Sequence, residues 1–214
     1  MERAQAAGEH AGETVRVGTS IMTPNRALME LWPQVRDRCP DLRLRIVPFE
    51  NTVENARQLL GNLGDEIDVV CGVYDEGMLA LRRCVGHKLR DEPVRVAVRA
   101  DDELASCDVV GYGDLAGRHL MLMQRGWSST TDAMRADLAE QHPEVIVEDF
   151  SFYDVEAFNR CEREGAAIMT VYPWADVHPL LTVKPVAWDY AIPYGILHAP
   201  HPSARVRRLL DAVV

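Results

Sequence analysis

Apolar and polar residues follow either a helical or a strand-like rhythm over short segments of this chain, and the first such stretch spans residues 15–47. Val15 and Val17 alternate with other residue types, which predicts a strand that runs into a turn at residues 18–23. Pro24 suits the first turn of the helix that follows. The apolar face of this helix is formed at helical spacing by Ala27, Leu28, Leu31, Trp32 and Val35.

This beginning continues as a β-α-β-α-β series. Leucine and isoleucine alternate mainly with arginine over residues 42–47, which predicts a half-buried second strand. Asn51, with Glu54 three residues later, predicts the start of a second helix, which Gly64 would end. Residues 67–73 form a continuous apolar run, typical of a parallel strand that is covered on both faces. The pattern therefore predicts an α/β lobe with a mostly parallel sheet.

The second part of the chain repeats this design. After a further strand and a polar connection, a strand runs into the turn QRGWSSTT (124–131) and a helix. Two such β-α-β units, each with a polar turn at the carboxyl end of a strand, predict two lobes that face a cleft. Strands are expected at 94–98, 118–123, 145–148, 167–171 and 194–198, and further helices at 155–163 and 203–213.

Charge and cysteine usage narrow the function classes. The formal net charge of −10 over 214 residues argues against nucleic-acid binding by this chain, because phosphate contacts need a basic face. The densest basic cluster, Arg205, Arg207 and Arg208, is interpreted as a solvated helix face.

Five widely spaced cysteines without a CxxC pattern predict reduced thiols. The N-terminus has no apolar core and no segment is long enough to span a bilayer, so we expect a soluble, cytoplasmic protein without a membrane contact.

Motifs of the common enzyme classes are missing from the sequence. There is no GxSxG, HExxH, P-loop or GxGxxG pattern, and the seven histidines are scattered without a carboxylate or cysteine at ligand spacing. The sequence therefore predicts no catalytic residue, no metal site and no cofactor. A site assembled from distant residues stays open as an alternative, since sequence order does not limit it.

Seven short sequence segments carry a resemblance to a known family. Taken together and in their order along the chain, they resemble the effector-binding region of LysR-type transcriptional regulators, a fold similar to that of type 2 periplasmic binding proteins. The resemblance covers the chain from about residue 14 onward. Its segments lie at 15–20 (VRVGTS), 39–42, 67–72 (IDVVCG), 93–105, 114–123, 165–175 and 195–214.

The resemblance implies an α/β fold of two Rossmann-like subdomains joined by a two-strand hinge. Lobe I would comprise 15–93 and 195–214, lobe II would comprise 94–194, and residues 1–14 look like the remnant of a linker. The family implies self-association as a homodimer or tetramer. It also implies that DNA is bound only through an N-terminal winged helix-turn-helix, which this sequence does not contain.

The predicted function is that of a small-molecule sensor whose effector lies in the cleft between the lobes and alters their geometry to control transcription. A small carboxylate is one candidate for the effector. The alternatives are a stand-alone solute-binding protein of the same fold, which a signal peptide or lipid anchor would support, and an enzyme built on that fold.

Hydroxyl residues after the first strand are the candidate ligand-binding groups of lobe I. Ser20 and Thr23, with their neighbours Thr19 and Met22, would hydrogen-bond a ligand carboxylate or hydroxyl beside the N-terminus of the next helix. Ordinary capping of that helix is the alternative. Thr52 lies where the resemblance implies a further hydroxyl, and a capping role is equally open there.

The candidates of lobe II follow its strands in the same way. Arg125 would anchor an anionic group through its guanidinium, or else pair with a carboxylate on the surface of this acidic protein. The aromatic candidates would line the pocket or pack in the core. The full set of predicted residues in this lobe is Gln124, Arg125, Trp127, Ser128, Tyr153 and Tyr172.

Overall fold

The computed structural model describes residues 13–214, so the predicted linker at 1–14 lies almost wholly outside the described part. The described chain divides into two compact units. The first unit takes the residues up to Gly72, Leu79–Arg90 and Tyr194–Val214, and the second takes Val73–Met78 and Asp91–Pro193. The division into the lobes expected from the resemblance stays a prediction.

Parallel strands build the sheet of the first unit. Strand β1 pairs in parallel with β2 on one side and with β3 on the other, as the β-α-β-α-β pattern predicts. Strands β4 and β9 each pass from one unit into the other. The elements are β1 (Thr14–Thr19), α1 (Arg26–Arg38), β2 (Arg43–Pro48), α2 (Val53–Gly61), β3 (Val69–Val73), α3 (Glu76–Arg82), β4 (Val85–Arg99), β9 (Ala191–His198) and α6 (Ala204–Ala212).

The second unit has the same parallel arrangement with an antiparallel addition. Strand β5 pairs in parallel with β6 and with β7, and β4 runs antiparallel to both β7 and β8. The carboxyl ends of β5, β6 and β7 therefore lie at one edge of this sheet. Its elements are β5 (His119–Met123), α4 (Ser129–Gln141), β6 (Ile146–Phe150), α5 (Val155–Glu164), β7 (Ala167–Val171) and β8 (Leu181–Pro185).

Two helix boundaries differ from those that the sequence predicts. The capping role expected for Asn51 is wrong, because Thr52 is the N-cap of α2 and its hydroxyl accepts a hydrogen bond from the N–H of Asn55. That helix ends at Gly61, so Gly64 lies in the following turn at a φ of 106°. The predicted end of α5 is confirmed, since Gly165 caps it with a left-handed backbone.

The sequence patterns did not predict helix α3, strand β8 or the first half of strand β4. Helix α3 and the first half of β4 lie in a stretch where apolar residues follow neither helical nor alternating spacing clearly. Strand β8 is short and pairs only along β4, so its residues depend on tertiary pairing for their conformation.

An ion-pair cluster stabilises the sheet of the first unit. The side chain of Asp68 is only 1% exposed and accepts hydrogen bonds from the guanidinium groups of Arg16 (2.7 Å) and Arg205 (2.9 Å). The backbone N–H of Arg16 donates to the same carboxylate at 2.8 Å. Two arginines of the C-terminal basic cluster are thus neutralised within the chain, since Arg208 pairs with Asp41.

All five cysteines are free thiols, and burial raises the pKa of the Cys71 thiol to about 12. Within residues 13–214, no helix is both long and apolar enough to cross a membrane. The same residues contain no group of three or more histidine, cysteine or acidic side chains placed to hold a metal ion.

Candidate functional site

The turn after β1 brings four predicted site residues together. The Thr19 hydroxyl donates to the carbonyl of Thr23 at 3.2 Å, and the backbones of Ser20 and Thr23 exchange two hydrogen bonds. Met22 is buried beneath this turn with only 6% of its surface exposed. The turn is therefore a closed, ordered structure at the carboxyl end of a parallel strand, where ligands of such sheets bind.

Two buried oxygens in this turn have no hydrogen-bond partner among the described residues: Ser20 Oγ and Asn25 Oδ1. The Asn25 amide donates through Nδ2 to the carbonyl of Gly18 at 3.1 Å, and this bond determines which end of the amide is the oxygen. Asn25 therefore offers an acceptor and Ser20 offers a group that both donates and accepts. Leaving such groups unpaired costs about 1–3 kcal/mol each, so a water molecule or a ligand group is expected to complete their hydrogen bonds.

Asn25 was not predicted as a site residue. It lies one residue before α1, where its side chain would ordinarily cap the helix, yet it makes no side-chain capping bond. An asparagine at a helix start is a visible signal in the sequence. Its bond to the end of β1 was not visible, because that contact depends on how the strand and helix meet in space.

Thr52 lies near this turn, in the loop between β2 and α2. The N–H of Phe49 donates to the carbonyl of Thr19 at 2.9 Å, which holds the start of this loop beside the end of β1. The Thr52 hydroxyl accepts a capping bond from Asn55 at 3.1 Å. The Thr52 hydroxyl therefore caps α2, and a ligand-binding role for Thr52 stays a prediction.

The turn between β5 and α4 contains the predicted residues of the second unit. Ser128 caps α4 by accepting from the N–H of Thr131 at 3.4 Å, and Trp127 packs its ring against that of Phe152. Gln124 and Arg125 are exposed. Gln124 still contacts the residue that follows β6, through a 3.5 Å approach to the carbonyl of Ser151.

An internal carboxylate already lies at the N-terminus of α4. Asp75, in the segment between β3 and α3, accepts from the N–H of Ser129 at 2.8 Å and from the N–H of Met78 at 2.7 Å. A helix N-terminus attracts anions, and here a side chain of the protein takes that position. This acidic residue was not predicted, although an aspartate two residues after a buried strand is a signal that the sequence shows.

Tyr153 belongs to the core of the second unit. Its hydroxyl donates to the carbonyl of Met169 at 2.7 Å, and its ring packs edge-on against Phe150 and beside Trp174. Burial raises the pKa of Tyr153 well above the usual range for a phenol. These contacts support the structural alternative for this tyrosine.

A Tyr153→Phe variant tests that interpretation. We expect a loss of about 1 kcal/mol in the free energy of unfolding, because a buried carbonyl loses its donor while the ring packing is kept. Chemical denaturation measures this loss. If Tyr153 is purely structural, any ligand-induced rise in the melting temperature will be unchanged, whereas a reduced rise would assign the hydroxyl to the ligand.

Tyr172 differs from Tyr153 because it is half exposed, at the carboxyl end of β7. The guanidinium of Arg95 lies over its ring, 5.8 Å from the ring centre. Arg95 was not predicted as a site residue. A single charged position inside the otherwise apolar strand segment VRVAV was the available signal.

The structure therefore places the predicted residues in two groups. In the first unit, Thr19, Ser20, Met22 and Thr23 form one turn with Thr52 in a nearby loop. In the second unit, the remaining candidates follow β5, β6 and β7 at one edge of the sheet. Two residues that the sequence did not single out, Asn25 and Arg95, carry the unpaired buried polar atoms Asn25 Oδ1 and Arg95 Nε.

The chain is similar to a known protein family. A family model described as the LysR substrate binding domain matches residues 8–214. A search of curated protein sequences finds no significant match.

Several solved structures share the fold. CbnR, a LysR family transcriptional regulator, has a TM-score of 0.67 at 15% identity, covering 99% of this chain and 72% of CbnR. The effector-binding domain of QuiR in complex with shikimate has a TM-score of 0.65 at 12% identity, covering 94% of both chains. The BenM effector-binding domain with its effector benzoate has a TM-score of 0.57 at 16% identity, covering 94% of this chain and 90% of that one. These likenesses confirm the predicted α/β, type 2 periplasmic-binding-protein-like fold.

Proposed function

Because this chain belongs to the LysR substrate-binding domain family, we propose that it senses a small-molecule effector through the polar turns at the carboxyl ends of its parallel strands. The effector would bias the domain toward one conformation, by no more than its difference in affinity for the two states. In a complete LysR-type regulator this bias would act on a homodimer or tetramer and on its DNA-binding head. We place such a regulator in the cytoplasm, where the DNA is.

The observation that carries this proposal is the pair of unpaired buried oxygens in the turn after β1, Ser20 Oγ and Asn25 Oδ1. A folded protein normally pairs its buried polar atoms, and a water molecule or a ligand group completes the hydrogen bonds of those left over. A ligand with a hydroxyl or amide N–H could donate to Asn25 and exchange a bond with Ser20. Binding without a chemical step suffices to explain this arrangement, so we propose a sensor and not an enzyme.

The ligands bound in two structural neighbours suggest the first compounds to try. The BenM domain was solved with benzoate and the QuiR domain with shikimate. Both compounds are ring carboxylates, and shikimate also has hydroxyl groups that suit a Ser20–Asn25 pair. A panel of ring carboxylates with and without hydroxyl groups is therefore the starting screen for this chain.

A Ser20→Ala variant tests the proposal. We expect the free protein to be as stable as the wild type or slightly more stable, because the substitution removes a buried oxygen that lacks a partner. In a thermal-shift screen of the panel, the compounds that stabilise the wild type should bind at least about tenfold more weakly to Ser20→Ala, which corresponds to the loss of about 1.4 kcal/mol.

A Ser106→Ala variant is the matched control, since its hydroxyl is exposed and bonds only to the carbonyl of Glu103 within its own 3-10 turn. We expect it to keep the full ligand response. Equal ligand affinity in wild type and Ser20→Ala would contradict the proposal, and so would a panel in which no compound stabilises the wild type.

A further inference from the structure

From the second unit we infer a carboxylate-binding site formed by Arg95, Thr170 and Tyr172, which we call the Arg95 site. This inference rests on the proposed effector-binding function and adds the group that would hold a carboxylate of the effector: the Arg95 guanidinium. The site is separate from Arg125, the candidate named from the sequence.

The three residues share one face of the sheet at the edge where the parallel strands end. Arg95 on β4 is the antiparallel register partner of Thr170 on β7, so both side chains project from the same face. Tyr172 follows two residues later, and its ring lies under the Arg95 guanidinium at 5.8 Å. Tyr172 is 50% exposed, so the site is open to solvent on that side.

Arg95 is a half-buried cation without a counter-charge. Its Nε is buried and has no partner, and within residues 13–214 its side chain forms no ion pair. An aromatic ring compensates only part of the lost hydration of a guanidinium. Arg125 is different, because it is exposed and keeps its hydration.

Other arginines of the same unit show that an unpaired guanidinium is unusual here. Acidic residues outnumber basic ones by 33 to 23 in this chain, so counter-charges are plentiful. Five arginines of this unit use them, in the pairs Arg99–Asp101, Arg118–Asp102, Arg135–Asp149, Arg160–Glu148 and Arg163–Glu156.

A carboxylate fits the Arg95 site better than other anions do. Its two oxygens match the two terminal nitrogens of one guanidinium, in a bidentate geometry that arginine favours. The Thr170 hydroxyl makes only a 3.5 Å contact with the carbonyl of Val171, but it is fully buried, so it would add a further bond only after the site opens. Phosphate has more acceptor oxygens than one guanidinium and one hydroxyl can satisfy. The N-terminus of α4, another position in this unit that would attract an anion, is already occupied by the Asp75 carboxylate.

Acetate is the probe for this site, because it presents a carboxylate and little else. We expect sodium acetate, titrated at constant ionic strength against sodium chloride, to raise the melting temperature of the wild type in a saturable manner. Arg95→Gln should weaken this response at least about tenfold. Arg95→Lys keeps the charge but loses the bidentate geometry, and it should fall between the two.

Arg99→Gln is the matched control. Arg99 lies on the same strand, four residues further along, and pairs with Asp101 at the surface. It should respond to acetate as the wild type does. Circular dichroism establishes that each variant is folded, and Arg95→Lys replaces Arg95→Gln as the test if the latter is not.

The outcomes separate this inference from the proposed function. A wild type that ignores acetate, or Arg95 variants with wild-type affinity for it, would overturn the Arg95 site. An equal response to inorganic phosphate and acetate would overturn the assignment to a carboxylate. If Ser20→Ala still loses its response to the ring carboxylates in those cases, the sensor function stands without the Arg95 site.

Discussion

Replacing Asp68 with asparagine is expected to lower the melting temperature of this protein by about 6–12 °C, corresponding to about 3 kcal/mol for a protein of this size. Asp68 is the buried acceptor for Arg16 and Arg205, and both guanidinium groups are about three-quarters buried at the side-chain level. Asparagine has nearly the same shape but only one acceptor oxygen and no charge. Two partly buried cations then lose their counter-ion, which costs far more than the loss of an exposed ion pair.

The effect of this substitution should depend on pH. Burial alone raises the pKa of Asp68, but hydrogen bonds from Arg16 and Arg205 outweigh it and hold the pKa below its usual value. A carboxyl with a depressed pKa stabilises the fold above its unfolded pKa, about 3.9, and this contribution is lost as the pH falls through the lower, folded value. The difference in melting temperature between wild type and Asp68→Asn should therefore be constant near neutral pH and shrink under acidic conditions below about pH 4.

Asp41→Asn is the matched control for this prediction. Asp41 also accepts from an arginine of α6, Arg208, but it is exposed, so water compensates for most of the loss. Its melting temperature should stay close to that of the wild type. Equal destabilisation by the two substitutions would show that burial of Asp68 does not determine its contribution.

Replacing Gly195 with alanine should be about as damaging, with an expected loss of about 3 kcal/mol or more and a melting temperature lower by about 6–12 °C. Gly195 lies on β9 where this strand runs beside β4. A Cβ at this position would overlap the carbonyl oxygen of His87 and lie 2.9 Å from its carbonyl carbon and 3.0 Å from Cα of Lys88. All these atoms belong to the backbone, so relief requires the two strands to move apart.

Gly61→Ala is the matched control, since a Cβ there meets no atom within 4 Å. Gly61 is the last residue of α2, and alanine is a better helix former than glycine, so the variant should be at least as stable as the wild type. Thermal melts followed by circular dichroism compare the two variants directly. A Gly195→Ala protein that melts with the wild type would mean that β4 and β9 do not approach as closely as the structure shows.

The order of the strands and helices was largely predictable because each element has a local signal. Alternating residues in β1, helical spacing in α1 and the glycine after α5 can all be read within a few residues of sequence. The same holds for the turn at 18–23, because hydroxyl residues between a strand and a helix are a local pattern. Weak local signals explain why α3 and β8 were not predicted. The cap at Asn51 was wrong by one residue, because the adjacent Thr52 takes the same role.

The site was only partly predictable for a different reason. The sequence identified Ser20 as a ligand-binding candidate, and its oxygen is indeed buried and unpaired, but ligand binding by this residue is still a prediction. It named Arg125 as a candidate anchor, with a surface ion pair as the equal alternative, and did not single out Arg95, because an arginine in a polar turn resembles a ligand anchor more than one within a strand. It also could not show that Tyr153 donates to Met169, since the two residues meet only after the chain has folded.

The sequence by itself determined the fold class and the turns at the ends of β1 and β5, since apolar periodicity and helix boundaries arise from interactions between near neighbours. The family followed from the resemblance of seven segments and from the matching family model, not from periodicity. Only the tertiary structure decided which polar groups in and around those turns already have partners. Asp75 satisfies the N-terminus of α4 and Thr52 caps α2. Within residues 13–214, buried side-chain atoms without a partner are left on Ser20, Asn25, Arg95, Asp132 and Arg135. Pairing depends on distances between residues far apart in the chain, and an unpaired buried group is recognised only when every possible partner has been placed.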